Sequence, residues 1–410
     1  MRNRGILISK LLFLMLFASF GAFGSFINLY LEQVIGLTGS QIGLVIFLGL
    51  VTTVVMNPIW GYLADKTGKH VLFLKTGFLS AALFGVLYYR ANSFTMIIIA
   101  VILFEAFRAP IMGMLEYLST NYSEKYHYDY GKIRVFASLG FLVSAMIIGV
   151  LVGGATLNIF QMDIAFEGII SLEVATFDIF IALNVVALII MFFLPKKEND
   201  AKAKQIDKQP FRKSDVIGLL KNRRYIFILV LTMVGFMTVD SAFSYAIMHL
   251  VTTLHAPENI VSWNALFMVA PELILLPIGT MLMVKLGFKN WYIFSIITMI
   301  LRLLIYGFAT NPFVFILGGV FHCIMIVMHI SGTLIYIRKV VPANVLGLAF
   351  TLLASSMAFS RGVLSFLFGW LYEINSFYVF RVAAVIVVIA LIMAARNKDL
   401  KEIGSEIVIL

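Results

Sequence analysis

The sequence has little charge and almost no cysteine. Asp, Glu, Lys and Arg make up 13% of the 410 residues, about half of the share that is usual in soluble domains. Cys323 is the only cysteine, which excludes a disulfide framework and a cysteine-ligated metal site. Hydrophobic residues reach 61%. Because one water-facing core cannot absorb this excess, the composition predicts a chain whose solvent is mostly lipid.

Several chemical motifs are also missing. The sequence contains no Gly-x-x-x-x-Gly-Lys phosphate loop, no nucleophile elbow and no His, Asp and Glu cluster with metal-ligand spacing. We therefore expect no enzyme, no catalytic or metal site and no bound cofactor. The formal charge of +10 comes from basic residues in short segments between apolar runs. That distribution is typical of membrane topology, so we expect a lipid bilayer and no nucleic acid as partner.

Twelve apolar runs are long enough to cross a bilayer. They predict an all-α polytopic membrane protein with twelve transmembrane helices in two six-helix bundles. The predicted spans are 10–32, 40–63, 71–90, 94–121, 132–154, 174–194, 224–251, 259–284, 290–308, 312–337, 345–372 and 376–395. The predicted domains are an N-terminal bundle (1–194), a polar linker (195–222), a C-terminal bundle (223–395) and a tail (396–410).

The Lys and Arg residues give an orientation. If the N-terminus lies inside, most of them fall in inside segments, ten of them between Lys196 and Arg224, whereas the outside loops carry mainly acidic residues. This bias predicts that both termini and the linker are cytoplasmic. We expect a multi-pass protein of the cell membrane that functions as a monomer.

The loop after the second span has a recognisable pattern. It reads Gly-Tyr-Leu-Ala-Asp-Lys-Thr-Gly-Lys-His from Gly61 to His70, and a weaker copy begins at Gly279. The pattern resembles the loop signature of the major facilitator superfamily, which implies a latch that gates the transport cycle. The implied gating residues are Gly61, Asp65, Lys66, Gly68 and Lys69.

The fifth span opens with a second motif, Tyr-Gly-Lys-Ile-Arg-Val-Phe-Ala-Ser-Leu-Gly-Phe, from Tyr130 to Phe141. It is similar to the lactose permease branch (oligosaccharide–proton symporters) and to related nucleoside and phenylpropionate carriers. In that branch a glutamate eighteen residues before the arginine pairs with it at the sugar, and here those positions are Glu116 and Arg134. Phe141 stands where lactose permease has a tryptophan that stacks on the sugar. We also expect Asn28 and Glu272 to bind substrate.

The second half continues this resemblance. Glu272, Arg302 and His322 occupy positions that couple transport to protons in the branch, so H⁺ is the expected driving ion. Met325 stands where the proton-carrying glutamate of the family would be, which rules out coupling through that carboxylate.

Charged residues inside apolar spans need a partner or a wet cavity. Glu105 and Arg108 are three residues apart on a helix and can meet, either as a structural ion pair or near substrate. Asp240 and Arg361 form a second candidate pair between different spans. Aromatic runs such as Phe13, Phe17 and Phe20 are expected to face lipid or to pack.

These features predict a secondary active transporter that takes up a small polar solute, such as a sugar or oligosaccharide, with protons by alternating access. Two alternatives remain open: a nucleoside or aromatic-acid symporter, and then a multidrug–proton antiporter. The fifth span lacks the Gly-Pro pair that many facilitator exporters carry there, which disfavours the antiporter.

Overall fold

The structure is a computed structural model that describes residues 4–159, 162–194, 213–342 and 345–400. Within these ranges the chain is helical apart from one two-stranded hairpin and the connecting turns. It divides into two compact units. Met1–Ile206 with Ala256–Ala265 forms the first unit, and Asp207–His255 with Leu266–Leu410 forms the second.

Six long helices make up the first unit. They are α1 (Arg4–Gln33), α2 (Gly39–Thr67), α3 (His70–Arg90), α4 (Phe94–Tyr126), α5 (Tyr130–Gly153) and α6 (Val174–Met191). Pro110 opens the second half of α4, a helical position where the missing N–H costs little. Between α5 and α6, β1 (Ala155–Ile159) and β2 (Met162–Phe166) form an antiparallel hairpin, which the sequence analysis did not predict.

The second unit begins with a short helix and continues with long ones. They are α7 (Lys213–Lys221), α8 (Arg223–Phe243), α9 (Ile260–Leu286, in this unit from Leu266 onward), α10 (Phe288–Phe308), α11 (312–340), α12 (Leu346–Ile374) and α13 (Ser376–Arg396). α11 contains a 3₁₀ stretch at Gly318–Phe321 and a π-helical stretch at Met328–Thr333.

The α1–α5 crossing is the closest helix contact that positions the candidate site. A Cβ added to Gly140 on α5 would overlap the carbonyl oxygen of Leu14 on α1, and one added to Gly21 would lie 2.7 Å from the carbonyl oxygen of Phe141. Ser144 donates a hydrogen bond of 2.7 Å to the carbonyl oxygen of Ala18 across the same crossing. Small residues thus let the two backbones touch.

The predicted fold class is confirmed. Among the described residues, ten helices are long and apolar enough to span a membrane, and shorter apolar helices cover Ile260–Leu275 and Pro312–Val327 of α9 and α11. Large apolar side chains such as Leu83, Ile274 and Val385 are exposed, as expected of surfaces that face lipid. The predicted linker lies outside the described residues up to position 212, and its end forms α7; the tail lies outside them from position 401.

Candidate solute-binding site

Arg134 lies on the first turns of α5, where the close α1–α5 crossing brings it against aromatic rings of α1. Its guanidinium carbon is 4.6 Å from the ring centre of Phe17 and 5.4 Å from that of Phe13. Tyr130, one turn earlier on α5, places its ring 6.5 Å from Phe13 at a steep angle. A guanidinium over an aromatic face is attracted by the quadrupole of the ring, so these rings fix the position of the cation.

Glu116 reaches the same place from α4. Its carboxylate and the guanidinium of Arg134 interact electrostatically with each other and with the hydroxyl of Tyr130. Both charged residues are half-buried. Among the described residues, however, no direct ion pair joins Glu116 to Arg134. The two groups predicted from their spacing are therefore near neighbours whose hydrogen-bonding capacity is not spent on each other.

Two other residues predicted to contact substrate, Phe141 and Asn28, also lie in the first unit. Phe141 is half-buried and seven residues after Arg134, so it shares a face of α5 with the arginine. Its backbone contacts Gly21, and its ring makes no aromatic contact within the described chain. Asn28 is half-buried on α1 and already has an interaction partner in the fold.

A second charged pair, Glu105 and Arg108, lies earlier on α4 than Glu116. Nη2 of Arg108 is 2.6 Å from Oε2 of Glu105, and its Nε donates to the same oxygen at 3.2 Å. Thr53 on α2 donates to that oxygen as well, at 3.2 Å. The guanidinium carbon of Arg108 lies 5.1 Å from the ring centre of Phe20. This pair is thus tied to α1 and α2 as well as to its own helix.

In the second unit, Arg302 and His322 meet. Arg302 is 1% exposed and its Nη1 lies 3.1 Å from Nδ1 of His322. Since a guanidinium can only donate, Nδ1 accepts and the imidazole keeps its proton on Nε2. The rings of Phe243 and Tyr306 lie 5.1 Å from the guanidinium carbon. Among the described residues Arg302 has no carboxylate partner, and its Nε has no hydrogen-bond partner.

Glu272 is the third predicted coupling residue of the second unit. It is half-buried on α9, has an interaction partner in the fold and acts electrostatically on Cys323, the residue after His322. Met325, which replaces the family glutamate, is 1% exposed. The structure therefore brings together two of the three predicted coupling residues and leaves the third beside them.

Asp240 and Arg361 also meet. Oδ2 of Asp240 lies 3.0 Å from Nε of Arg361, so the two side chains form an ion pair. The Nε–H bond of Arg361 does not point at this oxygen closely enough to count as a hydrogen bond. His329 stacks on Phe236 with ring centres 3.8 Å apart. Asp240 is close enough to His329 to interact with it electrostatically.

In the loop between α2 and α3, His70 contacts both an aspartate of α2 and a tyrosine of α4. Gly68 ends α2 with a φ of 69°, a left-handed conformation that favours glycine. Asp65 lies 3.1 Å from Nε2 of His70, and His70 stacks on Tyr117 of α4 with ring centres 4.0 Å apart. Gly61 lies inside α2 with open space around it.

Comparison with known proteins assigns the sequence to a family. The model of the MFS_1 like family, a branch of the major facilitator superfamily, matches residues 6–382. The chain belongs to the MFS_1 like family. The predicted resemblance to major facilitator transporters is confirmed, and this MFS_1 like protein is a multi-pass membrane protein of a transporter family.

Its relatives include sugar permeases. It is 31% identical to the maltose permease of Geobacillus stearothermophilus over 35% of this chain and 36% of that protein, so the alignment spans about a third of that relative. A probable 3-phenylpropionic acid transporter of Escherichia coli (strain K12) is 26% identical over 33% of this chain and 36% of its own length. The sucrose permease of Escherichia coli is 21% identical over 78% of this chain and 75% of its own length.

Solved structures show the same fold. A crystal structure of the nucleoside transporter NupG has a TM-score of 0.81 and 17% identity, and it covers 95% of this chain and 99% of that one. A peptide transporter, POT, has a TM-score of 0.73 and 12% identity, with 98% and 95% covered. At such identities the likeness concerns the fold alone.

Sequence reasoning missed several residues of this MFS_1 like protein. Phe17 and Phe20 were expected to face lipid or to pack, yet each lies beneath a guanidinium. Tyr130 and His70 were part of the motifs but had no assigned role. The spacing of the phenylalanines, which puts them on one face of α1, was the signal; nothing in the sequence said that two arginines would meet that face.

Proposed function

We propose that this transporter takes up a small polar solute, a sugar or oligosaccharide, by alternating access coupled to protons. The observation that carries the proposal is the cluster of Glu116, Arg134 and Tyr130 beside Phe17. A guanidinium donates to hydroxyls and a carboxylate accepts from them, while aromatic rings pack against the apolar faces of sugars. The two sugar permeases among the relatives support the same reading.

Proton coupling is proposed for the second unit. Because Met325 offers no carboxylate, Glu272 is the proposed proton carrier, and Arg302 with His322 links its charge state to substrate occupancy. While Nδ1 of the neutral His322 accepts from Arg302, the electron pair of that nitrogen is occupied. The pair becomes available to a proton only when the hydrogen bond breaks. A movement that separates the two groups therefore changes what His322 can accept.

One observation favours a second candidate, an aromatic acid. Arg302 is a buried cation between Phe243 and Tyr306 without a carboxylate partner in the described chain. An aromatic carboxylate would supply the missing anion and stack on the rings. The 3-phenylpropionic acid transporter among the relatives is consistent with this alternative.

The proposed setting is the cell membrane, with both termini and the linker in the cytoplasm and with the monomer as the working unit. The bacterial sugar permeases support the location, and the distribution of Lys and Arg supports the orientation. No cofactor and no nucleic acid takes part in this proposal.

The test combines binding and transport. Purified protein is melted with sugars, nucleosides or aromatic acids, since a ligand that binds only the folded state stabilises it by about 2.7 kcal/mol at a hundred times its Kd. The best ligand is then offered to proteoliposomes with and without an acidic exterior. We expect a sugar to raise the Tm and the pH gradient to drive its uptake. Stabilisation by aromatic acids alone, or uptake indifferent to the gradient, would contradict the proposal.

A further inference from the structure

Three phenylalanines form a continuous stripe along α1. Phe13, Phe17 and Phe20 follow each other at intervals of four and three residues, so they share one face. Neighbouring ring centres are 6.4 Å and 5.4 Å apart. Phe13 is fully buried, whereas Phe17 and Phe20 are half-buried. We call these three residues the aromatic stripe.

Each end of the aromatic stripe has a guanidinium and a carboxylate. Arg134 lies over Phe17 and Phe13, with Glu116 nearby. Arg108 lies over Phe20 and is bonded to Glu105. α4 contributes to both polar ends, with Glu116 at one and with Glu105 and Arg108 at the other, whereas α5 contributes Arg134 to the first end alone.

The stripe does not face lipid. A guanidinium above a ring in the hydrocarbon would carry the cost of a charge in the membrane. The side chains of Glu105 and Arg108 are 13% and 24% exposed, so a bound solute can still reach this end from outside the fold. The half-buried rings of Phe17 and Phe20 therefore form an apolar floor between two polar ends.

The length and charge of this face define what fits it. The two half-buried rings of the stripe, Phe17 and Phe20, have centres 5.4 Å apart, which is close to the spacing between the centres of two linked six-membered sugar rings. At each end the cation is matched by an anion, so the face favours a neutral solute. Hydroxyl groups at both ends can accept from guanidinium and donate to carboxylate.

We propose that Phe20, Arg108 and Glu105 form a second subsite that holds the far ring of a two-ring polyol whose near ring is bound by Glu116 and Arg134. This inference rests on the proposed sugar-transport function and deepens it. A one-ring polyol would occupy only the Arg134 end. Phe20 and Arg108 thus set the preference for solute length.

The test compares a two-ring and a one-ring probe, maltose and glucose, on purified full-length protein by calorimetry or thermal shift. Wild-type protein should bind maltose more tightly than glucose. Phe20→Leu keeps an apolar side chain but removes the aromatic face. It should weaken maltose binding about tenfold, as expected for one lost aromatic contact, and leave glucose binding unchanged.

Phe84→Leu is the matched control. Phe84 stacks on Phe107 with ring centres 4.9 Å apart but has no guanidinium over it among the described residues, so this variant should keep both affinities. If Phe20→Leu does not fold, Arg108→Lys replaces it, since lysine keeps the charge but not the planar fork. It should also weaken maltose selectively.

The outcomes separate the two proposals. If wild-type protein binds sugar but Phe20→Leu weakens the affinity for both probes equally, or for neither, the second subsite is overturned and the sugar-transport proposal stands. Binding of neither probe by wild-type protein contradicts the sugar-transport proposal and the subsite with it. Selective loss of maltose affinity supports both.

Discussion

Gly140 offers a direct test of how the first unit holds its candidate site. It lies on α5 six residues after Arg134, at the crossing with α1. In Gly140→Ala the new Cβ would overlap the carbonyl oxygen of Leu14 and lie 3.1 Å from its Cα. Backbone atoms cannot rotate away as a side chain can, so α1 and α5 must move apart.

We expect this added methyl group to cost about 1–3 kcal/mol, the usual range for overpacking. The shift should also loosen the contact between Arg134 and the rings of Phe13 and Phe17. The measurements are the Tm in detergent and the affinity for the solute identified by screening. Both should fall.

Gly113→Ala on α4 is the matched control, because its added Cβ would meet nothing within 4 Å. Both changes gain the same intrinsic helix preference of alanine over glycine. The difference between the two variants therefore isolates the clash. If Gly140→Ala melts at the same temperature as Gly113→Ala and binds solute normally, the close α1–α5 crossing does not position the site.

Three further predictions concern other parts of the chain. Asp65→Asn weakens the contact with the neighbouring imidazole, so transport in proteoliposomes should slow while affinity changes only a few-fold; an unchanged rate would leave the loop as a topology signal alone. Glu105→Gln leaves the guanidinium of Arg108 without its anion and should lower the free energy of unfolding by about 3 kcal/mol. The double variant Glu105→Gln/Arg108→Met should recover most of this loss in thermal melting, and equal melting temperatures for the two variants would refute the pair. In a protein whose native Cys323 is replaced by alanine, outside labelling should reach a cysteine at position 167 and miss one at 204, and efficient labelling at 204 would reverse the proposed orientation.

The fold could be predicted from the sequence because lipid imposes simple rules. Apolar runs of spanning length show where helices must be. The hairpin of β1 and β2 escaped because its ten paired residues carry no comparable signal. The breaks in α11 also escaped, since 3₁₀ and π-helical turns depend on packing within the bundle.

Only those site residues that belong to a recognisable motif could be predicted from the sequence. The eighteen-residue spacing led to Glu116 and Arg134, which the structure places near each other. The same reasoning could not show whether they form a closed ion pair, because that depends on how α4 and α5 pack and on the rings of α1 that hold Arg134. Phe17 and Phe20 look like lipid-facing residues in the sequence, since a hydrophobic ring does not reveal that a cation from another helix lies over it.

The central claim is that Glu116 and Arg134 bind solute rather than only stabilise the first unit. Arg134→Lys tests it most directly, because lysine keeps the positive charge but loses the planar fork that donates two parallel hydrogen bonds. Affinity for the identified solute and Tm are measured on the same purified protein. The account predicts that binding is lost while the Tm changes little. Normal affinity, with or without a lower Tm, would remove this pair from the binding site.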